Sequence, residues 1–149
     1  MYSKIRFFIR LITIMVNFVI VSEYSLTSPT QGGGEKIPGG PLYDLGRVHG
    51  IVCDGLCLSL WTRDCVSNVR ELGWENADVI ALVQQLRAHN YIDSEWCENG
   101  RGAYAACDAY AIKVLEWIDA AHKHMPIEYF VKFAINKLGT MVLTVSCHT

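Results

Sequence analysis

The residues of this 149-residue chain best equipped for covalent chemistry are Cys53, Cys57, Cys65, Cys97, Cys107 and Cys147. Thiols attack electrophiles, ligate metals or cross-link. Cys65 carries the nucleophilic option, because Thr62 can cap a helix whose N-terminus then lowers the thiol pKa. A single catalytic thiol would leave an odd count, and no histidine stands in a general-base context. The paired-cysteine spacing of a zinc site is absent. The simplest use of an even count in an exported chain is three disulfides among these six residues. Their spacing does not choose the pairing. Cys147 stands 40 residues beyond Cys107, so its bond must tie the C-terminus back to the body of the domain. The expected partner region is Cys53 to Cys65.

Other side chains invite chemistry less strongly. His122 and His124 are two apart near an expected helix end, where they would point to different faces. They suit the helix dipole better than a metal. Asp93, Glu95 and Glu98 form an acidic cluster without the ligand offsets of a calcium loop. Trp61, Trp74, Trp96 and Trp117 could line a sugar site, but tryptophans near cysteines are better read as core. Gly32-Gly33-Gly34 is not a phosphate loop, since no strand precedes it and no Lys-Ser/Thr follows. There is no nucleophile elbow, zinc helix motif or glycosylation sequon. No residue is assigned a catalytic, cofactor-binding or metal-binding role.

The export expected for these cysteines is written at the N-terminus. Lys4, Arg6 and Arg10 precede the apolar block Leu11 to Val21, and no acidic residue occurs before Glu23. A basic start and a short apolar run describe a signal peptide, expected at residues 1–22 with the mature chain starting between residues 23 and 29. The competing signal anchor is short: Ile5 to Val21 is 17 residues interrupted by Arg and Asn, against the ~20 a bilayer needs. The mature chain keeps all 15 acidic and 10 of the 13 basic residues, a net charge of about −5. That balance argues against nucleic acid and against anionic membranes. No later segment is apolar enough to insert.

Behind the signal, residues 23–46 form a Gly/Pro-rich leader, read as open coil or as a coat on the domain. The cysteine-stapled globular domain is expected at 47–149. Arg47 to Cys53 reads as a first strand. Thr62 to Leu72 reads as a helix closed by Gly73, and a second helix starts at Asn76 and ends near His89-Asn90. A polar segment, Asp93 to Gly102, turns at Asn99-Gly100. The alanine-rich stretch Ala103 to His124 reads as a helix, with a short opening strand to Cys107 as the alternative. Pro126 would open a further helix ending at Gly139, and Thr140 to Cys147 reads as a strand inside a sheet. The class is α+β.

Three segments resemble the secreted killer toxin of corn-smut viruses and its fungal relatives (killer protein four). They are Gly50-Ile-Val-Cys-Asp-Gly-Leu-Cys57, the stretch from Ile92-Asp-Ser-Glu-Trp-Cys-Glu-Asn-Gly100 to Cys107, and Gly139-Thr-Met-Val-Leu-Thr-Val-Ser-Cys147. The resemblance implies an α/β sandwich, an antiparallel sheet with helices packed on one face. It also implies growth inhibition through interference with calcium channels. Those toxins rely on basic residues that this chain does not match, so no functional residue is carried over. The expected function is a secreted toxin or effector that binds an extracellular protein or membrane-protein target. The alternatives are a secreted hydrolase, at Cys65 or in the acidic loop, and a neutralising, immunity-type binding protein.

Overall fold

The computed structural model describes residues 19–149. The basic residues and most of the apolar block of the expected signal lie outside the described residues. Among the described residues, three α-helices and a six-stranded sheet make an α+β fold. The strands are β1 (Val19–Ile20), β2 (Leu58–Leu60), β3 (Tyr91–Glu98), β4 (Ala103–Ile118), β5 (Lys123–Ile135) and β6 (Val142–His148). Their order is β1-β4-β5-β6-β2, with β3 also paired to β4. The central pairings are antiparallel, whereas β1 with β4 and β2 with β6 run parallel.

Helices α1 (Leu45–Val52), α2 (Arg63–Glu71) and α3 (Asn76–Gln85) cover the β2–β6 side of the sheet. Each follows from local chemistry. The Asp44 carboxylate caps α1 by accepting from the Arg47 N–H at 2.9 Å, and Val48 and Val52, one turn apart, are buried. The first strand expected at 47–53 is therefore a helix: the i, i+4 spacing of those valines outweighs their β-branching. Thr62 caps α2 as expected, accepting from the Cys65 N–H at 3.0 Å, and Gly73 ends it at φ +71°. In α3 the cap is Glu75, whose N–H donates to the Asp78 carboxylate at 2.8 Å. The helix stops at Gln85, short of His89, where the chain turns extended at Leu86.

The larger corrections concern residues 103–135, expected as two helices and found as two long strands. Between Ala105 and Tyr110 every residue is buried, so the alternation that marks a strand disappears. It returns beyond Ala111, where Lys113, Leu115 and Trp117 are exposed and the residues between them are half-buried. Pro126 sits opposite Leu115, beyond the point where β6 ends at His148 against Phe130. There β5 has lost its β6 neighbour and is an edge strand, where proline is tolerated. The acidic segment is mostly strand β3, and Asn99-Gly100 makes the expected turn into β4. Strand β6 lies inside the sheet as expected, between β5 and β2.

The leader is a coat. Ile37 and Leu42 pack with Trp96 and Ala106 in a second apolar cluster. Lys36 bridges to Glu95, and the Ile37 N–H donates to the Ser94 carbonyl at 2.9 Å. The coat is pinned at its far end by Asp108, which has no exposed surface. Its carboxylate accepts from the Leu42 and Tyr43 N–H groups at 3.0 Å and from the Ser94 hydroxyl at 2.6 Å. Burial pushes the Asp108 carboxyl above the usual carboxylate range, and these three hydrogen bonds oppose the push.

Residues 19–23 are built into the sheet too. The Val21 N–H donates to the Tyr104 carbonyl at 2.9 Å, and the Glu23 N–H to the Ile135 carbonyl at 2.8 Å. The Lys137 N–H donates to the Val21 carbonyl at 3.0 Å. Ser22 is fully buried, and its Oγ accepts from the Ala106 N–H at 2.9 Å. The segment wedges between β4 and the end of β5. Cleavage after residue 22 would remove β1 and this buried serine.

Candidate functional site

The six cysteines fall into three spatial groups, and none is bonded to another in this structure. Cys53 ends α1 and Cys57 follows four residues later around Gly55, both at least partly open to solvent. Cys65 lies in the first turn of α2. The Thr62 hydroxyl there also donates to the Val145 carbonyl at 2.7 Å, fixing that turn to β6 two residues before Cys147. Cys65 and Cys147 are both fully buried. Burial, then the neighbouring Cys147, push the Cys65 thiol up to about 12; burial pushes Cys147 up to about 11. Desolvation outweighs the helix N-terminus expected to activate Cys65, and the thiol is held in its neutral form.

The third group is Cys97 and Cys107. Cys97 pairs with Ala105 across β3 and β4, and Cys107 pairs with Glu95, so both sulfurs project from one face as diagonal neighbours. On the same face Lys132 of β5 lies opposite Ala109, and Ser146 of β6 lies opposite Lys132. The Cys107 thiol gives Cys97 a hydrogen bond that, with help from Lys132, holds it below the ordinary thiol range. Cys107 is pushed the other way, chiefly by complete burial. Cys97 alone of the two lines an open cleft of about 670 Å³, with Gly33, Asp64, Asn99, Lys132 and His148. The sequence offered no sign of this asymmetry, which depends on strand register.

The acidic cluster is dispersed and engaged. Asp93 and Glu95 share the Lys36 ammonium, at 2.8 and 2.9 Å, and Glu95 also pairs with Lys132. Burial alone would raise the Glu95 pKa; hydrogen bonds from Lys132 and Lys36 outweigh it and hold the carboxyl low. Glu98 points elsewhere, near Gly33 and Tyr104. Among the described residues no group of three His, Cys, Asp or Glu could hold a metal ion, and no helix is long and apolar enough to cross a membrane. His122 is left-handed, at φ +50°, and caps the single 3₁₀ turn Asp119–Ala121 between β4 and β5, not the long helix expected there; His124 lies on β5 opposite Trp117.

The most conspicuous surface is the far half of the β4–β5 hairpin. β3 ends opposite Tyr110 and β6 opposite Phe130, so residues 111–118 and 123–129 continue as a two-stranded ribbon. At ~3.3 Å per residue it extends roughly 25 Å. One face, through Ile112, Val114 and Ile127, leans on the core. The other carries three cross-strand pairs: Lys113 with Glu128, Leu115 with Pro126, and Trp117 with His124. Leu115 is 69% exposed and Trp117 52%. Trp117 is nonetheless held, donating from Nε1 to Asp119 at 2.7 Å and meeting the His124 ring edge-on at 5.4 Å. Of the four tryptophans, Trp96 is core, Trp61 and Trp74 pack half-buried against the main apolar cluster, Trp74 tilted at 4.9 Å from Tyr129, and Trp117 is presented outward by this ribbon. Comparison of the chain with protein-family models, with curated proteins and with solved structures finds no match.

Proposed function

We propose that this chain is an exported toxin or effector that acts by binding, with the β4–β5 ribbon as its contact element. The supporting observation is Trp117: a large aromatic, half exposed, locked by Asp119 and His124, and flanked by exposed Leu115. Rigid aromatic anchors beside aliphatic neighbours contribute most of the energy at protein interfaces, because little side-chain freedom remains to be lost. The ribbon's charges nearly cancel, which favours an apolar groove on a protein over a polyanion. The target is an extracellular protein or the outer part of a membrane protein. The likeness to the corn-smut killer toxins makes a calcium channel the first target to test.

The hydrolase alternative has less support. Cys65 is sealed and its thiol raised, and the acidic loop's Glu95 is neutralised by two lysines. A neutralising binder would use the same ribbon, and growth assays separate the two. Purified protein added to a panel of cells should slow growth of at least one type. Trp117→Ala with Leu115→Ser should weaken cell binding at least tenfold at unchanged Tm. Wild-type binding by that double variant would refute the ribbon, and a panel that grows normally would refute the toxin.

A further inference from the structure

The cysteine geometry supports a statement that spacing could not. We infer that the chain is stapled by Cys65–Cys147, Cys97–Cys107 and Cys53–Cys57, and that the second bond closes from the cleft through Cys97. This goes beyond the binding role and does not depend on the ribbon.

The first pair rests on an anchored helix start. The Trp61 N–H donates to the Thr144 carbonyl at 2.8 Å and the Thr62 hydroxyl to the Val145 carbonyl, so the chain is tied to β6 just before α2 begins. Cys65 is three residues past Thr62, and Cys147 is two residues past Val145 and therefore on its side of the strand. Both sulfurs are buried in one apolar cluster, and Cys147 is close enough to raise the Cys65 thiol further. The second pair follows from the register, which places Cys97 and Cys107 as diagonal neighbours on one face of adjacent antiparallel strands. The third pair flanks the Gly55 turn, where the Gly55 N–H donates to the Val52 carbonyl at 3.2 Å. Those two are the most exposed of the six cysteines, and the other four already have partners.

The oxidant is a disulfide, either a small one or that of a thiol oxidase. The Cys97 thiolate attacks one donor sulfur, forms a mixed disulfide and expels a donor thiolate. Cys107 then gives up its proton and attacks the Cys97 sulfur, which releases the second donor thiolate. Two protein thiols and one donor disulfide become one protein disulfide and two donor thiols, without loss of atoms or electrons. Cys97 must act first because it lines the cleft, whereas Cys107 has no exposed surface. Lys132, on the same face, favours the attacking thiolate.

The test uses folded, reduced full chain in a buffer of reduced and oxidised glutathione, followed by non-reducing digestion and mass spectrometry. Linked peptides should join Cys65 to Cys147 and Cys97 to Cys107, and the Cys53–Cys57 bond should appear as the loss of two hydrogens within one peptide. A Cys53–Cys147 or Cys65–Cys97 link, or Cys97 and Cys107 still open to alkylation, would overturn the pairing. For the order, Cys107→Ser should accumulate glutathione on Cys97, and Cys97→Ser should leave Cys107 at least tenfold slower to react. Equal rates would refute entry through the cleft. Because the oxidation is done in a tube, a failure here is distinct from any failure of export or of target binding.

Discussion

Asp108→Ala tests the attachment of the leader most directly. The substitution removes the acceptor for two backbone N–H groups, Tyr43 in the interior and Leu42 half-buried. The Ser94 hydroxyl keeps its bond to the Tyr91 hydroxyl at 2.6 Å. Each buried donor left without a partner costs about 1–3 kcal/mol, and relief of a buried carboxyl returns part of that, leaving about 2–4 kcal/mol net. Against a typical margin of about 5–15 kcal/mol this is a visible loss. Urea unfolding should show a lower midpoint at unchanged slope. Trypsin should cut after Lys36 in the variant under conditions where the parent resists. Asp108→Asn should fall between, because its amide oxygen still serves one side while its NH₂ faces a donor. A parental midpoint together with a protected Lys36 would refute the reasoning, and burial of Ile37 and Tyr43 would then suffice to hold the leader.

Three further outcomes can be checked. Glu95 has a folded pKa below its unfolded value, so its contribution is present above the ordinary carboxylate range and is lost as pH falls through the folded pKa. Denaturant midpoints should therefore drop on acidification more steeply in the parent than in Glu95→Gln, and equal slopes would discount the two lysines. In oxidised protein, Cys147→Ser should cost more than Cys57→Ser: a closed loop of about 80 residues is worth about 4.5 kcal/mol and one of about five residues about 2 kcal/mol. Equal thermal midpoints would count against the Cys65–Cys147 bond. A chain starting at Glu23 should be less stable than one starting at Val19 by about 1–3 kcal/mol, since it leaves the Ala106 N–H without Ser22. N-terminal sequencing of exported protein then decides which form exists: a start between residues 23 and 29, as the signal pattern predicts, lacks β1 and Ser22, and a start at or before Val19 keeps them.

What the sequence revealed and what it hid separate along the range of the forces involved. Thr62, Gly73, Asn99-Gly100 and the β-branched run ending at Cys147 act within a few residues, and each did what its local chemistry required. The long hairpin did not show itself, because burial of both faces between Ala105 and Tyr110 erased the strand period and left alanines that favour a helix in isolation. The ribbon was hidden for the same reason, since Leu115 and Trp117 share a face only if β4 is extended. The Asp108 clamp was illegible for another: its partners are backbone amides some 65 positions away, and an amide carries no residue type to recognise. Cysteine count pointed to cross-links, but the partners of Cys97 and Cys65 depend on register and packing.

The wedge formed by residues 19–23 has a consequence in time. Its hydrogen bonds run to Tyr104, Ile135 and Lys137, so the first described part of the chain to be synthesised cannot dock until nearly the last has appeared. At a synthesis rate of about 5–20 residues per second, the roughly 115 intervening residues impose a wait of about 6–23 seconds. Until β5 has been made there is no seam for the segment to enter, so it must wait unpaired and could pair elsewhere. Whatever holds the N-terminal segment during that interval, a translocation channel or a chaperone, would act as a timer on the closing of the sheet.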